Sequence, residues 1–493
     1  MKIRKMNING ASWDSVFLTI VKLVTTLTAI LQTKILSVGL SLTAYGTYSQ
    51  ANVVVSVCTS ILLLGLGDAI NFFYNDERHS REKRVNSVNT IYAIELIAGI
   101  ILSIVVVSTR GLFAVYFSND ALKIVLTVVA LKPMLDNLIY FYQVLFVSVG
   151  KAKVIAVRNF VISLLKLAAT AVAVIVFNSV IAIFISFILL DLLQLIFFVT
   201  FFAKDEFVVL PHKADIKIVK DIIGYALPIG IFALTNTMVR DIDKFVVGYL
   251  SDTETVAIYA NCSKILPFDI VAISFATVLI PYIMKYISRN DRSNAIVLFK
   301  NYLKIGYYSV WILGIAVLIV NQQAISFLYS SEYLLGKDVF VIYIIDSMLK
   351  FASMHLILTA SGKAKLLMLY SALSLALNTV LNIVLFNLMG IVGPAIATLA
   401  VTALYTLLIL RKSIITLGTK WTEVFDLRDI TTFVLGLVTT AIVFCGLNHA
   451  ILKIGVNQYI TMMLVMSGYG IVNLLIYRKR IKFVLQLVNN LKM

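Results

Sequence analysis

Gly150-Lys151-Ala152-Lys153 returns 212 residues later as Gly362-Lys363-Ala364-Lys365. Each copy stands between two long apolar runs, and the run that follows ends in Phe-Asn, at Phe177–Asn178 and Phe386–Asn387. A second echo holds nearly the same register, 211 residues. It sets Leu40-Ser41-Leu42-Thr43-Ala44-Tyr45-Gly46-Thr47-Tyr48 against Ser251-Asp252-Thr253-Glu254-Thr255-Val256-Ala257-Ile258-Tyr259. Two echoes in one register point to two related halves. In a membrane protein, paired halves usually enclose a transport site.

Composition fixes the solvent. The chain has 493 residues, of which 60% are hydrophobic and 14% charged, against roughly 25% charged in a soluble domain. Lipid must therefore surround most of it. Only helices and closed barrels satisfy their backbone groups there, and the apolar runs lack the alternation of barrel strands. The expectation is an all-α polytopic membrane protein.

Spans of about twenty residues fall near 14–37, 48–73, 87–108, 121–148, 154–177, 179–203, 221–249, 256–284, 302–321, 338–360, 366–387, 390–410, 430–450 and 457–477. That is about 14 transmembrane helices. The expected organisation is an N-terminal six-helix bundle (1–203), a C-terminal six-helix bundle (204–411), and two further helices with a basic tail (412–493).

The net charge of +17 would suggest nucleic acid in a soluble protein. Here it follows the membrane. Of the basic residues, 30 cluster at one set of span ends, Arg158 among them, and 4 at the other, with 8 inside spans. The positive-inside rule then places both termini in the cytoplasm. The two Gly-Lys-Ala-Lys turns share that side, so the halves are expected in parallel orientation. Cys58, Cys262 and Cys445 lie in apolar segments without paired spacing, and the four histidines are scattered. No metal, cofactor or nucleic-acid partner is expected. No loop is large enough for a catalytic domain, so no enzymatic activity is expected.

Charges inside spans are the functional candidates, because each costs about 2.5–3.5 kcal/mol at a helix centre unless it meets water or a partner. In the seventh span Asn236, Arg240 and Lys244 recur every fourth residue, with Thr237 beside them, which puts them on one face. Pro228 can kink that helix. Asp243, three residues from Arg240, is an expected partner for it, and Asp241 adjoins both. In the first span Lys22, Thr25, Thr26 and Thr33 share a face. Lys22, Thr26, Asn236, Arg240 and Lys244 are thus the expected cavity residues. Lys132 with Asp136, and Asp346 with Lys350, read as intrahelical ion pairs. Glu95 and Asp191 lack a partner within their spans and need a base from another helix or a proton. Lys166 is a candidate mate.

Several segments together resemble one family. Tyr45-Gly46-Thr47-Tyr48 after the first span, Leu227-Pro228 with Arg240-Asp241-Ile242-Asp243-Lys244 and Gly248-Tyr249, Ala257-Ile258-Tyr259, and Gly390-Ile391-Val392-Gly393-Pro394-Ala395 are similar to segments of bacterial polysaccharide flippases. These handle O-antigen, capsule or exopolysaccharide, and belong to the multidrug/oligosaccharidyl-lipid/polysaccharide exporter superfamily. The resemblance covers roughly residues 12–411. It implies a multi-pass plasma-membrane protein that moves undecaprenyl-diphosphate-linked repeat units between leaflets. It implies Arg240 as a diphosphate- or sugar-contacting base, although Asp241 and Asp243 beside it depart from a purely cationic site. Membrane lipids, a coupling proton or sodium ion, a polymerase and glycosyltransferases are the partners it suggests. A cation-coupled multidrug exporter, with Glu95 or Asp191 as coupling acid, and a peptidoglycan-precursor flippase are the alternatives. A membrane polymerase or ligase on the same lipid would need an exposed catalytic loop, and a non-transporting scaffold leaves the buried charges unexplained.

Overall fold

The structure is a computed structural model that describes residues 8–76, 78–264, 279, 282–287, 289 and 291–490; the side chains of 8–20, 23, 236, 364 and 483–490 lie outside that description. Among the described residues all regular structure is helical. Among the same residues, eleven helices or helix pairs are long and apolar enough to cross a membrane. The chain is a multi-pass membrane protein. Three of the fourteen expected spans are not among these eleven. The first (14–37) and eighth (256–284) lie partly outside the described side chains or residues, and 338–360 is divided in two.

Residues group into two compact units, Met1–Ala257 and Ile258–Met493. The first holds α1 (Ile8–Gly39), α2 (Leu42–Leu63), α3 (Leu66–Asn75), α4 (Arg81–Tyr116), α5 (Ala121–Val129), α6 (Lys132–Ser148), α7 (Ala152–Ile175), α8 (Val180–Asp205) and α9 (Ile216–Leu250). The seventh expected span, α9, thus packs with the first six, against α2, α3 and α4. Contact grouping is a different property from sequence repeat, so the halves at 1–203 and 204–411 stand as a proposal about repetition.

Two expected spans of this first unit are interrupted. Between α2 and α3 the chain turns through Leu64 (φ +22°) and Gly65 (φ +78°). Glycine tolerates such a φ without a Cβ penalty. Between α5 and α6 the break falls at Ala130–Leu131, with Pro133 near the start of α6, where a missing N–H costs nothing. By contrast α9 runs through Pro228 without interruption.

The second unit holds α10 (Thr253–Cys262) from its middle onward, then α11 (Arg292–Ile319), α12 (Asn321–Leu328), α13 (Lys337–Leu349), α14 (Leu356–Ala360), α15 (Ala364–Met389), α16 (Val392–Leu417), α17 (Trp421–Val424), α18 (Leu427–Lys453) and α19 (Gln458–Asn490). The last pair, α18 and α19, docks on α11. Asp429, in the first turn of α18, is the latch. Its carboxylate accepts from the Tyr307 and Tyr308 hydroxyls (2.8 and 2.7 Å) and from Arg480 Nη1 (3.0 Å), and Lys304 Nζ lies at 3.2 Å. Phe433 packs edge-on between Tyr308 and Tyr477 beside it.

The Gly-Lys-Ala-Lys echo is one turn built twice. Gly150 and Gly362 have φ of +77° and +70°. Gly150 N–H bonds Val147 O and Lys151 N–H bonds Phe146 O; Gly362 N–H bonds Thr359 O and Lys363 N–H bonds Leu358 O. The same offsets close the preceding helix in both copies, as glycine C-terminal motifs do. Each lysine then precedes the alanine that opens the next helix, α7 and α15.

Candidate functional site

All the expected site residues belong to the first unit. On α1, Lys22 is exposed, and Thr25 and Thr26 turn their hydroxyls back to donate to its carbonyl at 2.9 and 2.8 Å. Each hydroxyl keeps only its acceptor capacity for a ligand.

On α9, Arg240 is 61% exposed. The acid beside it is Asp241, at 3.8 Å, rather than Asp243, the partner that spacing alone suggests. Asp241 is the hub of this cluster. It is buried, accepts from Lys244 Nζ at 2.8 Å and Ser56 Oγ of α2 at 3.0 Å. Lys244 is therefore folded back onto Asp241 instead of sharing Arg240's exposed face. Asp243 is buried and caps the Lys244 backbone N–H at 2.8 Å. Asn236 lies outside the described side chains.

A second cluster joins α6, α7 and α8. Asp191 is 1% exposed and receives three donors: Lys132 Nζ, Lys166 Nζ and Gln194 Nε2, each at 2.9 Å. Lys132 also bonds Asp136 at 2.7 Å, so the pair expected within α6 is part of a relay across three helices. Buried charge survives only when its lone pairs are filled in this way. The relay lines a pocket of about 320 Å³ with Thr59, Tyr140, Gln143 and Arg158. Arg158 is the pocket residue that sequence reasoning does not single out. Seven residues into α7, it sits close enough to the turn to be counted as an end charge, yet its side chain lines the pocket.

Glu95 of α4 is different again. It is 2% exposed, and among the described residues neither carboxylate oxygen has a hydrogen-bond partner. In the second unit Asp346 and Lys350 form the expected pair at 2.6 Å.

No curated protein matches the sequence. Among solved structures the chain is similar to the lipid II flippase MurJ in an inward closed conformation, with TM-score 0.75 and 13% identity over 94% of this chain and 100% of that one. It is also similar to an inward-facing multidrug resistance MATE family transporter of the MOP superfamily, with TM-score 0.69 and 11% identity over 80% and 94%. A MOP superfamily transporter from Pyrococcus furiosus, whose description notes a binding pocket of reverse polarity, gives TM-score 0.58 and 14% identity over 82% and 94%. At these identities the likeness is one of fold. The sequence itself matches a family model over residues 35–336, more than half of its length and reaching from α1 to the segment before α13, and by that match the chain belongs to the polysaccharide biosynthesis protein family.

Proposed function

We propose that this chain is a flippase that carries undecaprenyl-diphosphate-linked oligosaccharide repeat units from the cytoplasmic to the outer leaflet of a bacterial plasma membrane. Translocation makes and breaks no covalent bond, so no catalytic group is required. A diphosphate headgroup with sugars does not cross hydrocarbon unaided. It needs a hydrated path with local cationic charge, opened alternately to the two faces. On this reading the chain crosses the membrane fourteen times with both termini in the cytoplasm, a topology supported by the gathering of basic residues at one set of span ends. A polymerase and glycosyltransferases acting on the same lipid are the expected partners.

The observation that carries this reading is the exposed Arg240 guanidinium on α9. It stands within a family of polysaccharide biosynthesis proteins and on a fold like that of a lipid II flippase. Asp241, with Lys244 and Ser56 bonded to it, holds the base of that helix face in place. A base tempered by a neighbouring acid binds an anion weakly enough to release it. Lys22 and Thr26 of α1 are the second set of proposed contacts.

The test is gene deletion followed by analysis of lipid-linked sugars. Loss of one surface polymer with build-up of its lipid-linked repeat on the cytoplasmic side supports the proposal; an unchanged lipid-linked pool with a dye-efflux defect rejects it. That second outcome belongs to a cation-coupled exporter, a reading favoured by Glu95, whose carboxyl group is buried with no donor among the described residues. In the flippase reading Glu95 and the Lys166–Asp191 relay are the proposed sites for a coupling proton or sodium ion.

A further inference from the structure

The charge cluster around the polar pocket of the first unit has three bases, Lys132, Lys166 and Arg158, and two acids, Asp136 and Asp191; of these, two bases and two acids line the pocket itself. Lys132 and Lys166 are matched by Asp136 and Asp191. Arg158 is left over. Its guanidinium is held by neutral groups: Nη1 donates to Asn159 Oδ1 at 2.6 Å, and with the Gln143 carboxamide turned oxygen-inward, Nη1 and Nη2 reach it at 3.0 and 3.3 Å. The Phe198 ring lies 4.8 Å below. The Arg158 Nε is buried without an acceptor, and among the described residues no carboxylate lies within ion-pair distance.

Arg158 also stands at the end of a second hollow. A groove of about 460 Å³ runs between α7 and α8, floored by Val157, Val161, Leu165, Leu190, Leu193 and Phe197. Arg158, Ile162 and Gln194 line both groove and polar pocket, so the two hollows adjoin at these three side chains. The groove's walls are surface residues, Val157 being 48% and Leu193 61% exposed, so a chain in the bilayer reaches it laterally. Arg158 is six residues past Ala152, the first of α7, or about 9 Å at the helical rise.

We propose that this junction is a lateral binding site for an anionic phospholipid with a small polar head, its phosphate on Arg158 and one acyl chain along the α7–α8 groove. Charge favours an anionic head, which brings a counter-charge to Arg158, a base with no ion pair among the described residues, and adds no further cation to the two bases lining the pocket. Size decides against the oligosaccharide cargo: about 320 Å³ is near the lower limit for ligand pockets and holds one glycerol-sized head among Thr59, Tyr140 and Gln143, not a chain of sugars. The site is thus independent of the transported lipid and stands whether or not the flippase reading does.

The test uses full-length protein extracted in mild detergent, with bound lipid counted by native mass spectrometry after exposure to phosphatidylglycerol, phosphatidylcholine or polyprenyl phosphate. Wild type retains phosphatidylglycerol at least about tenfold better than phosphatidylcholine, and Arg158→Gln loses that preference, as removal of a charge-assisted bond predicts. Leu193→Trp fills the exposed groove, leaves the charge intact, and lowers retention too; it decides the matter if Arg158→Gln does not fold. Equal retention of the two phospholipids, full retention by both variants, displacement by millimolar inorganic phosphate alone, or preference for polyprenyl phosphate would each overturn the proposal.

Discussion

Gly230 of α9 packs its Cα directly on the backbone of Leu64, where α2 gives way to α3: a Cβ added there would overlap the Leu64 Cα and carbonyl. The contact is reciprocal. A Cβ on Gly65 would overlap the Ala226 carbonyl oxygen of α9. The break between α2 and α3 and the helix crossing it are interlocked through two glycines.

That interlock separates two kinds of glycine. Gly65→Ala combines a left-handed φ with backbone overlap and is expected to cost about 3 kcal/mol. Gly230→Ala, with a helical φ but the same overlap, costs about 2 kcal/mol. Gly150→Ala has the same kind of φ (+77°) but open space around the new methyl, so about 1 kcal/mol is expected. Thermal unfolding of the purified variants by size-exclusion chromatography gives the order. If Gly150→Ala proves as damaging as Gly65→Ala, the close approach of α9 is not what constrains Gly65.

Asp191 holds two lysines from two helices, so its loss should be worse than loss of either lysine. Asp191→Asn leaves Lys132, Lys166 and Arg158 against Asp136 alone, and an uncompensated buried charge costs about 3–5 kcal/mol. Adding Lys166→Gln removes one surplus cation and should recover more than about 1 kcal/mol of that. The readout is the melting temperature of the two single variants and the double. Strict additivity would show that Lys166 and Asp191 do not interact in the folded protein.

The sequence carries the membrane architecture openly, because hydropathy in about twenty-residue windows reads the solvent of each segment. It carries the Gly-Lys-Ala-Lys turns as well, since both glycines fill backbone positions that disfavour a side chain. Breaks are harder to read. Leu62-Leu63-Leu64-Gly65-Leu66 is as apolar as an unbroken helix, and the interruption is stabilised by α9 from elsewhere in the chain. Charge pairing shows the same limit. Spacing of four finds Lys132–Asp136 and Asp346–Lys350, which are local. It favours Asp243 for Arg240 over Asp241, because adjacent residues rarely share a face, yet a long guanidinium can still approach the neighbouring carboxylate. Lys132 joining Lys166 on Asp191 depends on how three helices assemble, which no spacing records. Arg158 is hidden by position: among the basic residues near a loop, nothing in the spacing marks the one that also lines a pocket.

Asp429 latches the last helix pair, and its removal should release that pair before the rest of the unit. Asp429→Ala discards bonds from Tyr307, Tyr308 and Arg480 together with the Lys304 ion pair. Hydrogen bonds to a charged group contribute roughly 1.5–3 kcal/mol each, and a loss of about 3 kcal/mol in total is expected once relaxation is allowed. Tyr307→Phe removes one donor and should cost about 1.5 kcal/mol. Limited trypsinolysis checks the mechanism: Arg478 and Lys479 should become cleavable in Asp429→Ala while sites before Asp429 keep their wild-type rates. Uniform acceleration at all sites would mean that Asp429 supports the whole unit instead.

Arg240 and Asp241 are neighbours on α9 whose loss is expected to stop export by different routes. Arg240 is mostly exposed, so Arg240→Ala should change stability by no more than about 0.5 kcal/mol and leave the amount of protein in the membrane unchanged. If the guanidinium meets the substrate's anionic group, surface polysaccharide in a deletion strain carrying this variant should nonetheless disappear. Arg240→Lys keeps the charge but loses the planar fork, and should restore export in part. Asp241→Asn acts on the fold first. It deprives Lys244 of its counter-charge and weakens the tie to Ser56, so membrane levels should fall along with export. Quantitative immunoblotting of membranes beside polysaccharide analysis distinguishes the two. Should Arg240→Ala export normally, the base on α9 is not a substrate contact, and the cationic part of the path has to be sought on α1 at Lys22.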